Sequence, residues 1–213
     1  MAYRVPNGSL VHISSGLATA VNITALTNAS EAVATATNTY TAGDIVLINS
    51  GWTGIDNRVA KVKAPSGTSF TLDSYDTTST TIYPAGSGTG TAQKVSGWTQ
   101  LGQIADSQSS GGDQQFTAVQ FLESTIQVNL PTVKNPYTLK FTIADDPTQA
   151  GQILAAAADT DRAPRVIRIT LPGTGGVIYM YAYVTMAPVP SLNVNQLMGV
   201  ETTMSTLALP KRY

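Results

Sequence analysis

The chain has 213 residues, enough for one medium domain or two small ones. Charged residues make up 12% of it and the formal net charge is −1, whereas an average protein has ~25% charged residues. With no cysteine and one histidine, disulfides, thiol catalysis and most histidine-based triads or metal sites are excluded. No apolar run approaches the ~18 residues of a transmembrane helix, and no basic patch supports DNA recognition. The composition favours a neutral structural or interaction protein.

Most of the chain is predicted to form β-strands. Short runs rich in Thr, Val, Ile and Tyr alternate with clusters of Gly, Asn, Ser and Pro, which is the pattern of strands and turns. The glycines between Pro172 and Gly176 predict a hairpin turn, since they allow positive φ angles. The predicted strands are 10–14, 44–49, 58–64, 69–72, 98–104, 123–130, 138–143, 165–171, 177–185 and 199–207.

One short helix is predicted between the strands 138–143 and 165–171. Asp145 or Asp146 can cap its N-terminus, and Pro147 suits the first helical position. The apolar residues that follow have the i, i+3, i+4, i+7 spacing of one helix face; they are Ala150, Ile153, Leu154 and Ala157. We expect this face to cover a sheet or to close the end of a barrel.

A shift in composition divides the chain into two domains. Residues 22–95 are rich in Thr, Ala, Gly and Asn and carry their own apolar set, whereas 1–21 and 96–213 carry longer strands and the helix. We predict that 22–95 is a small β domain inserted into a loop of a discontinuous host domain, because loops tolerate such insertions.

Two parts of the chain resemble known families. The order of segments 22–29, 42–48, 57–62 and 68–73 resembles a small β-barrel module that recurs as an addition in phage structural proteins. Segments 145–154, 166–185 and 200–210 resemble the tail tube proteins of phages with long non-contractile tails. The resemblance implies a mainly β tail-tube sandwich or barrel with one short α-helix, with the small β-barrel domain inserted on its outer surface.

The same resemblance implies a structural virion protein rather than an enzyme. Six copies would form a ring, rings would stack into a tail tube, and DNA would pass through the lumen without specific binding. The expected partners are other copies and the tape-measure, tail-tip and terminator proteins, with assembly in the host bacterial cytoplasm and no membrane. One alternative is a two-domain β binding module of a tail tip or fibre that recognises a host surface or carbohydrate. Another is a polysaccharide hydrolase, which needs a pair of carboxylates.

No residue is predicted to be catalytic, to bind a cofactor or to bind a metal. His12 has no thiol or second histidine as a partner, and Asp145 and Asp146 are better explained as helix-capping residues. Arg162, Arg165 and Arg168 are too few, and without interleaved aromatic residues, for a nucleic-acid groove.

Three sets of residues are predicted to mediate assembly. The polar stretch 105–115 is expected to be a long loop that stacks rings; its residues are Asp106, Ser107, Gln108, Ser109, Ser110, Gly111, Gly112, Asp113, Gln114 and Gln115. Two arms are expected to dock on adjacent subunits; they contain Tyr3, Arg4, Lys211, Arg212 and Tyr213. An exposed apolar patch on the inserted domain is expected to brace the tube; it consists of Trp52, Ile55 and Ile82. The alternative is that these three residues close the core of the inserted domain itself.

Overall fold

The computed structural model describes residues 5–192, 194 and 197–213. Within these residues the chain is mainly β, with one α-helix, as predicted. The strands are β1 (Leu10–Leu17), β2 (Val21–Ile23), β3 (Ala25–Leu26), β4 (Val33–Thr35), β5 (Ile45–Ser50), β6 (Arg58–Ser66), β7 (Ser69–Leu72), β8 (Gly90–Leu101), β9 (Ile104–Gly111), β10 (Gln114–Val119), β11 (Val128–Lys134), β12 (Tyr137–Ala144), β13 (Arg165–Thr170), β14 (Val177–Met186), β15 (Gly199–Thr206) and β16 (Lys211–Arg212). The helix is α1 (Ala150–Asp161).

Fourteen strands form one antiparallel sheet in the order β3-β4-β7-β6-β5-β8-β1-β13-β14-β15-β12-β9, with β2 beside β8 and β16 beside β14. In this order seven strands run from β8 at one end to β9 at the other. In the sequence, however, β8 and β9 are separated by only two residues. These seven strands must therefore curl until their ends come close. Their inward side chains share one core cluster, which includes Leu101 of β8, Ile167 of β13 and Phe141 of β12.

A second core cluster belongs to residues 23–92 and contains Trp52, Phe70 and Leu72. A third cluster joins the two parts of the molecule, because Leu47 and Val59 pack with Val166 and Tyr179. Strand β8 pairs with β2 and β5 in its first half and with β1 in its second half. It therefore crosses the predicted domain boundary between residues 95 and 96 without a break. The division of the chain at residues 22–95 stays a prediction.

Helix α1 begins at Ala150, three residues after the predicted first position, and its buried face differs from the predicted one. Asp146 closes a turn by accepting hydrogen bonds from the backbone N–H and the hydroxyl of Thr148. Ile153 is 56% exposed, and the buried residues are Gly151, Gln152, Ala155 and Ala158. The buried face is small because the helix lies close to β8: a Cβ at Gly151 would lie 2.9 Å from the Cα of Leu101.

The β13–β14 turn agrees with the prediction. A short 3₁₀ turn covers Gly173–Gly175, and Gly173 and Gly176 have φ angles of 61° and 78°. L-residues with side chains rarely adopt such angles, which explains the glycines. The predicted strand 123–130 is displaced, since residues 120–127 form a turn and the strand covers Val128–Lys134.

Candidate assembly surface

The stretch predicted as the loop 105–115 is a β-strand followed by a short connection. β9 pairs with β12 from Ile104 to Gly111. The prediction of a loop is wrong because both faces of this edge strand are polar and its residues after Ile104 are exposed, so no apolar alternation marks it. A role of residues 106–115 in stacking stays a prediction, now for a strand and a turn.

The β9–β12 pair continues beyond the sheet as a projecting ribbon. Gly111 and Gly112 have φ angles of 84° and 78° at the bend. Backbone hydrogen bonds keep the two strands paired across the bend. The Gly112 N–H donates to the Asn135 carbonyl, and the Asn135 N–H donates to the Asp113 carbonyl. β10 and β11 then form a separate two-stranded sheet. We call residues 114–134 the projecting hairpin.

The chemistry of the ribbon changes at this bend. Beside the curled sheet β9 exposes serine, glutamine and aspartate, whereas the projecting hairpin exposes large apolar side chains. Leu122, at its tip, is fully exposed. The other exposed apolar side chains of the hairpin are Phe116, Phe121, Ile126, Val128, Leu130 and Val133. A concentration of exposed apolar side chains of this kind marks a contact site. The sequence shows it as well, because only two of these 21 residues, Glu123 and Lys134, are charged.

The predicted arm 211–213 docks on its own chain, and a contact of these residues with an adjacent subunit stays a prediction. Lys211 and Arg212 pair with β14, and Lys211 Nζ donates a hydrogen bond to the Ser74 carbonyl. Arg212 donates to the Gly175 carbonyl. An apolar site for Tyr213 exists within the chain, because its ring packs edge-on against Tyr179. Tyr3 and Arg4 lie outside the described residues.

The hydroxyl of Tyr213 completes the pairing of β6 and β7. The Asp73 N–H donates to the Lys61 carbonyl at 2.9 Å. In place of the reciprocal bond, the Lys61 N–H donates to the Tyr213 hydroxyl at 3.0 Å, and that hydroxyl donates to the Asp73 carbonyl at 3.2 Å. Burial raises the pKa of this phenol above its usual value. Tyr213 therefore ties residues 61–73 to β14.

The predicted bracing patch is also corrected. Trp52 and Ile55 are 1% and 0% exposed and belong to the core of residues 23–92, where the indole N–H of Trp52 donates to the Pro84 carbonyl. They are buried because a short turn folds back onto this core. Ile82 is 58% exposed, and its contact role stays a prediction.

The remaining charged residues have local explanations. Arg165 pairs with Asp161, and the guanidinium of Arg168 lies over Trp98 at 4.6 Å. Burial and then Arg168 lower the pKa of His12, which favours the neutral imidazole. No group of three or more His, Cys, Asp or Glu residues able to hold a metal ion occurs among the described residues. Across those same residues, no helix combines the length and apolar character needed to span a membrane.

Comparison with known proteins identifies the family of the chain. The sequence model of one family, described as phage tail tube protein (TTP), matches residues 50–213, about three quarters of the chain. No curated protein gives a significant match. The matched range includes the projecting hairpin, α1 and the host strands from β8 onward. The chain belongs to the phage tail tube protein family.

Proposed function

We propose that this chain forms hexameric rings that stack into the tail tube of a phage with a long non-contractile tail, and that the tube conducts DNA during ejection. Family membership makes the protein a structural component of the virion tail that assembles with itself and with other tail proteins. The ring number, the stacking, the DNA conduit, assembly in the host cytoplasm and contact with the tape-measure, tail-tip and terminator proteins are part of the proposal.

The observation that carries the proposal is the projecting hairpin. A hairpin of two strands is at best marginally stable alone in water, and this one exposes its apolar residues on a ribbon that leaves the sheet. Seating Phe121, Leu122 and Ile126 on another copy would remove that apolar surface from water. Full burial of each such side chain contributes about 1.5–3 kcal/mol. Assembly of copies therefore supplies the packing that a single copy lacks.

A second feature supports ring formation. Among the described residues β9 pairs with β12 on one side only, so its other edge presents unpaired backbone donors and acceptors. Such an edge is a template for pairing with another chain, and closure into a ring removes it. The glycines at residues 111 and 112 separate this edge from the hairpin, so the edge can serve neighbours within a ring and the hairpin can serve stacking.

The proposal is tested by a double substitution at the hairpin tip, Leu122→Asp with Ile126→Asp. We expect a folded subunit with an unchanged circular dichroism spectrum that forms no tubes in negative-stain electron microscopy, because two buried, unpaired carboxylates oppose docking. The control is Gln120→Asp, which adds charge at the same tip without removing an apolar side chain, and it should form tubes. Normal tubes from the double variant, or only single particles from the unaltered chain, would contradict the proposal.

A further inference from the structure

One wall of the curled sheet is open and polar. Three outward positions on each of β12 and β15 alternate with core positions, and three residues of β9 lie on the same face because they pair with those of β12. They are Asp106, Gln108, Ser110, Thr138, Lys140, Thr142, Glu201, Thr203 and Ser205. We call these nine residues the open wall. None of them is a large apolar residue, in contrast with the adjoining hairpin.

Part of the outward side of β13 and β14 is covered, whereas Tyr183 of β14, which pairs with Ser205 of the open wall, is 46% exposed. Val166 of β13 and Tyr179 of β14 face outward and pack against Leu47 and Val59 of the part formed by residues 23–92. The sheet thus carries this part on one stretch of its outer surface and leaves the open wall on another. A folded unit of that size would obstruct a channel, so the covered stretch belongs on the outside of a tube. The open wall lies on an uncovered stretch of the same sheet and is therefore available for the inside.

The charges of the open wall nearly cancel. Lys140 is its one cation, and its Nζ lies 2.9 Å from Oε1 of Glu201 on the neighbouring strand. The two residues are diagonal neighbours, since Lys140 pairs with Thr203 and Thr142 pairs with Glu201. Asp106 adds one further negative charge. The open wall therefore offers moving phosphates hydroxyls and amides but no unpaired positive charge.

We propose that the open wall is the DNA-facing surface of the tube and that Glu201 masks the positive charge of Lys140 there. This inference rests on the proposed function. A lysine that contacts a phosphate releases counterions and holds the polymer. Repeated in every copy along a tube, unmasked lysines would add many weak holding points along the path of DNA. The partner of the wall is thus duplex DNA, which touches it without being captured.

The first test determines whether the open wall lies inside or outside the tube. Because the chain has no cysteine, Ser110→Cys gives a single site for a maleimide-linked gold particle on assembled tubes. Ile82→Cys is the comparison, on an exposed residue of the part formed by residues 23–92. We expect gold inside the tube for Ser110→Cys and outside for Ile82→Cys. Gold outside for Ser110→Cys overturns the inference while leaving tube formation, and hence the proposed function, intact.

The second test measures whether Glu201 prevents Lys140 from retaining DNA. Glu201→Gln tubes should retain a fluorescent DNA duplex at low salt about tenfold better than unaltered tubes, and lose this retention as salt rises. The matched control is Glu31→Gln, which unmasks Lys63 from an equally close pair, 2.8 Å, on the part formed by residues 23–92. The double variant Lys140→Gln/Glu201→Gln should return retention to the unaltered level.

Equal retention by Glu201→Gln and Glu31→Gln tubes overturns the inference. If Glu201→Gln fails to form tubes, Gln108→Lys replaces it, because Gln108 pairs with Lys140 across β9 and β12 and a second lysine there exceeds what one glutamate can mask. Absence of added retention in Gln108→Lys tubes likewise overturns it. Failure of the unaltered chain to form tubes counts against the proposed function instead.

Discussion

Removal of the Tyr213 hydroxyl should loosen the joint between residues 61–73 and the host strands. In Tyr213→Phe the Lys61 N–H loses its acceptor and the Asp73 carbonyl its donor. A buried donor left unsatisfied costs ~1–3 kcal/mol, and because the phenol is half-buried we expect a loss of about 1–2 kcal/mol. For a chain of this length 1 kcal/mol corresponds to ~2–4 °C in Tm. Tyr213→Ala also removes the ring and should cost about 3 kcal/mol.

Urea and thermal unfolding of the dissociated subunit measure these losses. Tyr183→Phe is the control, since Tyr183 is 46% exposed and its hydroxyl makes no hydrogen bond within the described residues. Hydrogen exchange at the Lys61 amide gives a local reading, because this N–H is protected by the Tyr213 hydroxyl. If Tyr213→Phe matches Tyr183→Phe in stability and leaves Lys61 exchange unchanged, the hydroxyl has no such role.

Two other predictions concern the helix and the histidine. Gly151→Ala would stabilise an exposed helix by about 1 kcal/mol, but here it should destabilise the subunit by about 1–3 kcal/mol through overpacking against β8; a higher Tm would contradict the close approach of α1. Since the pKa of His12 is lowered in the folded chain, the unfolded chain takes up protons first as pH falls below about 6.5, and stability should decline there. His12→Gln should remove that component from urea titrations at pH 7 and pH 5, and an identical pH slope in both proteins would refute the assignment.

The sequence was most informative where structure is set by neighbouring residues. The mainly β pattern, the existence of one helix and the glycine hairpin at 172–176 depend on alternation, spacing and backbone freedom, and the structure confirms them. Residues 105–111 lack that signal because an edge strand with two polar faces has no alternation to read. Its pairing is decided by β12, which lies more than twenty residues away.

The remaining errors come from contacts between distant segments. Apolar spacing assigned Ile153 to the buried helix face, yet the closeness of β8 admits only small residues such as Gly151 and Ala155. Composition could not show that Trp52 turns inward or that Tyr213 meets Lys61, because both depend on residues brought together by the fold. The sequence shows the apolar residues of the hairpin but not their exposure, because exposure depends on where the ribbon leaves the sheet.

The sharing of β8 has a consequence for the order of folding. β1 and β8 meet at Leu17 and Val95, which are separated by a long intervening chain, and closing such a loop from the unfolded state is entropically costly. The β2–β8 pairing holds Val21 beside Ala92, close to the same point. A chain that first collapses around Trp52 and Phe70 has therefore already closed the loop, and the β1–β8 ladder can extend from it as a local step. Early formation of that cluster should set the folding rate of the whole sheet, and substitutions that weaken the cluster should slow folding.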